Sequence, residues 1–168
     1  MDKNYKMLTD IFKKMTNDET LLRLLYYPPE NIVENIPDPL DPSLPNIMEM
    51  DIQKRYGFID KAIKKTSNTD DLSTPQCRIL FYMGQRVANK SNPEYNKRQI
   101  IFDVVSHFDF EDVDFRSMRI TDRLCELFVN KNVAGINKTE DAGGGQINGL
   151  PKGFVGYKNV FEFGSGAS

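Results

Sequence analysis

At 168 residues, with 39% hydrophobic and 27% charged side chains, the chain has the make-up of one domain, 1–168, large enough to fold without metals or disulfides. Its 22 basic and 24 acidic residues leave a net charge of −2, which gives no bulk attraction to nucleic acid. No apolar run approaches the roughly 18 residues of a membrane span, and the opening Met1-Asp2-Lys3-Asn4 lacks a signal peptide's pattern, so intracellular synthesis and no membrane partner are expected.

Tyr5, Leu8, Ile11, Phe12 and Met15 fall on one face of a helix over 5–15. Thr16 and Glu19 have capping-box spacing, which predicts a second helix running through Leu21, Leu22, Leu24, Leu25 and Tyr26 to Pro28–Pro29. Six of the nine prolines lie in 28–46. They exclude a ladder or a long helix, so an extended arm or surface loop is expected, with turns at Asp38–Pro39 and Asp41–Pro42. The stretch 47–65 is ambiguous: Ile52, Tyr56, Ile59 and Ile63 have helical spacing, and Gly57 weakens it. A polar loop follows at 66–75.

Residues 78–83 read as a strand and 89–96 as a polar connection. The clearest strand is 99–110, with Ile100, Phe102, Val104, Phe108 and Phe110 on one parity and Asp103, His107 and Asp109 on the other. Together the two strands suggest an antiparallel hairpin whose loop is too long for a tight turn. Asp112 or Asp114 is then expected to cap a helix over about 115–130, with Phe115, Met118, Leu124, Leu127 and Phe128 as its apolar stripe. Residues 135–153 are glycine-rich, including Gly143–Gly144–Gly145, and a mobile loop is expected there. One or two strands over 154–163 close the domain, and 164–168 reads as a flexible tail. The fold class is therefore α+β, a small and mostly antiparallel sheet flanked by helices.

Residues that could carry chemistry do not form a constellation. Cys77 and Cys125 are expected as buried, reduced thiols; two cysteines and the one histidine are too few for a Cys/His zinc set. His107 suggests a histidine–carboxylate pair or a metal ligand, but Asp103 is roughly 13 Å away along a strand, too far to share a proton, so a structural role is expected. The acidic run Asp109, Glu111, Asp112 and Asp114 lacks the glycine of a calcium loop and suits a helix N-terminus. Gly143–Gly145 follows a helix and has no Walker lysine, which argues against a nucleotide cradle. No nucleophile elbow is present. No catalytic, cofactor-binding or metal-ligating residue is assigned, and no enzymatic activity or cofactor is expected.

The strand Ile100–Phe110, the acidic turn, the helix 115–130 and the strand 154–163 together resemble the tail terminator and tail-completion proteins of tailed bacteriophages. Leu21–Leu22–Arg23–Leu24–Leu25–Tyr26–Tyr27 followed by Asp38–Pro39–Leu40–Asp41–Pro42 is similar to small head–tail proteins of low-GC Gram-positive phages. The resemblance implies a structural virion subunit at the neck or tail end, made in the bacterial cytoplasm. It implies a ring, typically a hexamer, that terminates the tail tube and meets other neck proteins while DNA passes through without sequence-specific binding. A monomeric DNA-binding or regulatory module is the alternative. It would use Arg116, Arg119 and Arg123. Arg78 and Arg86, interleaved with Phe81 and Tyr82, have the pattern of a single-strand binder, but at this net charge a half-exposed strand is expected there instead. A small hydrolase built on His107 and the acids around it is a third, weaker reading.

Overall fold

A computed structural model describes residues 2–166, with side chains through Gly164. In chain order it contains α1 (Lys3–Thr16), α2 (Glu19–Tyr26), a short 3-10 turn (Ile47–Glu49), α3 (Ile52–Ala62), β1 (Ile63–Lys64), β2 (Cys77–Ala88), β3 (Tyr95–His107), α4 (Phe108–Asp114), α5 (Arg116–Phe128), β4 (Ile136–Gln146) and β5 (Phe154–Gly166). The sheet order is β1-β2-β3-β5-β4. Only the two-residue β1 is parallel to its neighbour; the other pairs are antiparallel. The fold is the expected α+β class.

Strand alternation explains the two layers. Ile79 and Phe81 of β2, Ile100, Phe102 and Val104 of β3, and Phe161 and Phe163 of β5 point to one face. There they pack on Met7, Ile11 and Met15 of α1, Leu21 and Leu24 of α2, and Ile120, Leu124, Leu127 and Phe128 of α5. The Phe102, Phe128 and Phe161 rings lie 5.3–6.2 Å apart at tilted angles, the arrangement aromatic quadrupoles favour. The opposite face is smaller: Leu80, Val105 and Phe154 are covered by Leu72 and Leu150 from loops.

The helical periodicity of α1 and α2 matches the expectation, as does the β2–β3 hairpin, whose connection spans 89–94. Several local expectations are corrected. α2 is capped not by Thr16 but by Asp18, whose carboxylate accepts from the Leu21 N–H at 2.8 Å; Thr16 still belongs to α1. The strand expected over 99–110 begins at Tyr95 and stops at His107, and Phe108 and Phe110 enter α4. Neither Asp112 nor Asp114 caps α5. The chain turns through a left-handed Phe115 (φ 51°), which brings Glu111 back over the helix start, where it accepts from the Ser117 N–H at 2.9 Å. Asp114 binds Arg116 instead.

The glycine-rich segment is the largest departure. Residues 136–146, expected within a loop, pair with β5 as an edge strand with two register shifts. A Cβ on Gly144 would overlap the Lys158 carbonyl oxygen, and one on Gly164 the Ile136 carbonyl. The bare glycines are what let these two irregular strands approach. Residues 164–166, expected as flexible tail, continue β5, and residues 167–168 of that tail lie outside the described residues.

Candidate functional site

His107 caps a helix. Its Nδ1 accepts from the Asp109 N–H at 3.1 Å, starting α4 where β3 ends, and its ring meets Phe154 edge-on at 5.0 Å. Its nearest carboxylate is Asp109 Oδ2 at 3.5 Å, not Asp103. Asp103 accepts from the Tyr82 hydroxyl at 2.7 Å, with Lys158 Nζ 3.6 Å from its other oxygen. This row of one side chain from each of three neighbouring strands cannot be read from sequence, because it depends on the register that sets Asp103 opposite Leu80 and Lys158. Burial and the bond to Asp103 raise the Tyr82 phenol. Burial opposes the charge on Lys158, yet its bond to Tyr82 and the nearby Asp103 raise its pKa, so the ammonium stays charged. The row pins β2, β3 and β5 together.

Burial pushes the Cys77 thiol up to about 12; Cys125, expected buried, is only partly so, and that burial still raises its thiol, so neither is a thiolate nucleophile near neutral pH. No cluster of three or more His, Cys, Asp or Glu able to hold a metal occurs among the described residues. No helix among them is long and apolar enough to cross a membrane.

The arginines considered for DNA binding serve the fold. Arg116 is 0% exposed; it binds Asp114 and donates to the carbonyls of Leu24 (2.6 Å) and Tyr27 (2.8 Å) at the end of α2. Arg119 grips Asp38 with two bonds of 2.9 and 3.0 Å, and Arg123 holds Asp18, the α2 cap. Arg78 is buried, paired bidentately with Asp71 and donating to the Lys61 carbonyl. Of the set considered, Arg86 alone stands exposed, near the tip of β2.

The proline-rich segment 28–46 is a surface loop folded back on α2 and α5. Arg23 donates to the carbonyls of Pro39, Asp41 and Leu44, and the Tyr27 hydroxyl to that of Pro45. Asp38 and Asp41 each accept from the N–H two residues on, forming the two expected turns. Ahead of them the chain makes a tight protruding turn. Asn31 and Ile36 exchange backbone bonds of 2.9 and 2.8 Å, and the Asn31 side chain accepts from the N–H groups of Val33 and Glu34. At its tip Ile32 is 86% and Val33 96% exposed.

Elsewhere, Tyr5, Leu8, Thr9 and Phe12 of α1, Lys65, and Phe81, Tyr82 and Met83 of β2 line an apolar groove of about 390 Å³. It opens at the sheet edge, since β1 pairs only with Ile79 and Leu80 and leaves β2 uncovered from Phe81 onward. A third apolar patch comprises Phe108, Val113 and Phe115 around α4. Apolar groups on ordered elements, beside an open strand edge, suit contact with another protein surface.

The YomW family sequence model matches residues 18–163, from the α2 cap to the last buried phenylalanine of β5. The chain belongs to the YomW family. Among YomW relatives, the SPbeta prophage-derived protein YomW of Bacillus subtilis strain 168 is 33% identical over 174 residues, covering 98% of this chain and 99% of its own length. The YomW match therefore includes the arm, both sheet edges and the glycine-rich β4, and the prophage-derived relative ties the chain to a phage lineage.

Proposed function

We propose that this chain is a non-enzymatic structural subunit of a phage virion, sited at the neck or tail end. Copies of it form a ring, a hexamer by the resemblance to tail terminators, that ends the tail tube and contacts other neck proteins. DNA passes through the ring without sequence-specific binding. The observation that carries the reading is the Ile32–Val33 tip: two aliphatic side chains held almost fully in solvent by a braced turn. Such exposure costs solubility and is relieved when a partner covers it. The phage lineage of a relative matching 98% of the chain favours a virion as the setting. The net charge of −2 suits a conduit along which DNA slides, since a strongly basic lumen would hold phosphates. A DNA-binding module based on Arg116, Arg119 and Arg123 loses support, because all three guanidiniums are engaged by carboxylates of the same chain.

The test is to purify virions of a phage that encodes the chain, quantify the protein by mass spectrometry against the portal protein, and image the necks. Several copies per particle in a ring at the head–tail junction or tail end are expected. Absence from purified virions refutes the reading.

A further inference from the structure

The braced tip and the apolar groove lie on one molecule, and each has what the other lacks. The tip presents Ile32 and Val33 between two exposed acids, Glu30 and Glu34. Neither acid has an ion-pair partner among the described residues. The groove has an apolar floor of Leu8, Phe12, Phe81 and Met83. Lys65 stands at its rim with its ammonium 4.5 Å from the centre of the Phe12 ring and no carboxylate paired to it among the described residues. Tyr5, 71% exposed, forms the other rim. The groove is therefore apolar below and basic at its lip, and the tip is apolar at its point and acidic at its shoulders.

We propose that the Ile32–Val33 tip of one copy seats in the α1–β2 groove of the next, with Glu30 and Glu34 facing Lys65. This deepens the ring reading by naming a contact between copies, and it rests on that reading for its place in a virion but not for its existence in solution. The contact joins two different surfaces, so it is heterologous: each subunit offers one tip and one groove, and repetition yields a closed ring when the rotation permits, or an open filament when it does not. The turn is held by the Asn31–Ile36 bridge and the Asn31 side chain, and the loop behind it is anchored by Arg23 and Arg119, so docking orders little additional chain. Opposite charge at the rims fixes which way round the tip enters.

The experiment uses the full chain and light scattering over a concentration series. Wild-type mass should rise above that of the monomer with concentration. Ile32→Asp/Val33→Asp alters only exposed tip residues, and Tyr5→Asp/Lys65→Glu alters only exposed rim residues, so both should keep wild-type circular dichroism. Each should weaken association by at least about tenfold, the loss expected when a buried aliphatic group is replaced by a charge. An equimolar mixture of the two variants retains one competent tip and one competent groove, and should form dimers and stop there. Glu34→Lys should restore part of the association lost in Lys65→Glu. A photo-crosslinker at position 33 should recover groove peptides of the same chain. A wild-type chain that stays monomeric into the millimolar range, a tip variant that associates like wild type, or crosslinks from position 33 only to another virion protein would each overturn the contact. Virions that contain the protein and assemble normally with the tip variant would sink this contact while leaving the neck or tail role standing. A chain that pairs tip to groove in solution but is missing from virions would do the reverse.

Discussion

Replacing Arg116 with Met should be among the most damaging single substitutions in this protein. The guanidinium is fully buried, lies 5.0 Å from the Phe110 ring centre, and ties the start of α5 to the end of α2 through the Leu24 and Tyr27 carbonyls. A cation there also opposes the negative end of the α2 dipole. Met fills a similar volume but leaves Asp114, only 12% exposed, without its closest partner, and leaves two carbonyls unpaired. Breaking a buried ion pair from one side costs about 3–5 kcal/mol, and each orphaned carbonyl about 1–3 kcal/mol. These overlap, and Arg119 still reaches Asp114 at 3.3 Å, so a loss of about 4 kcal/mol is expected. That is a large part of the ~5–15 kcal/mol available to a domain of this size. The chain has no tryptophan, so urea unfolding is best followed by circular dichroism. Adding Asp114→Asn should return about 1–2 kcal/mol, because it removes the stranded buried charge. A loss below about 1 kcal/mol for Arg116→Met, or no recovery in the double variant, would refute this account of the hub.

Other expectations follow from local geometry. Gly144→Ala should destabilise the protein by about 1–3 kcal/mol, since its methyl group would overlap the Lys158 carbonyl; hydrogen exchange should show the loss concentrated in 136–146, and an unchanged exchange pattern would contradict the close approach. Phe115→Asn should raise stability by about 1 kcal/mol, because the left-handed conformation at φ 51° strains an aromatic residue more than asparagine, and Phe115 is 72% exposed; a lower unfolding midpoint would show that the ring contributes to packing. The hydrogen bond from Arg119 holds Asp38 below the ordinary carboxylate range. Its folded pKa is depressed, so its contribution is present above the unfolded value of about 3.9 and lost as pH falls through the folded value. The gap in urea midpoint between wild type and Asp38→Asn should therefore be constant from pH 7 to 5 and begin to narrow below about pH 4. A gap that does not narrow at all as pH falls below about 4 would mean that the pair's charge is not what anchors the arm.

The sequence alone was sufficient for elements whose pattern is local. Ile11 and Met15 repeat at helical spacing, and Ile100, Phe102 and Val104 alternate, because burial on one face must follow the period of the backbone that carries it. The bend of the arm was legible too, since prolines and the Asp38 and Asp41 side chains act within two residues. The same local logic misplaced the end of β3. Phe108 and Phe110 extend the alternation by chance, while the His107 cap and the bond from the Phe108 N–H to the Gly153 carbonyl turn the chain into α4. Only the tertiary structure could decide β4. Glycines carry no side chain to form a pattern, and 136–146 becomes a strand because β5 supplies the backbone partners. The arginines read as a basic helix face for the same reason: Arg119 and Arg123 are neutralised by Asp38 and Asp18, 81 and 105 residues away in sequence. The tip and the groove also come from distant segments, and the fold alone leaves both uncovered. Periodicity records which side of an element is buried; the partner that buries it, or pairs its charge, is fixed by packing across the whole chain.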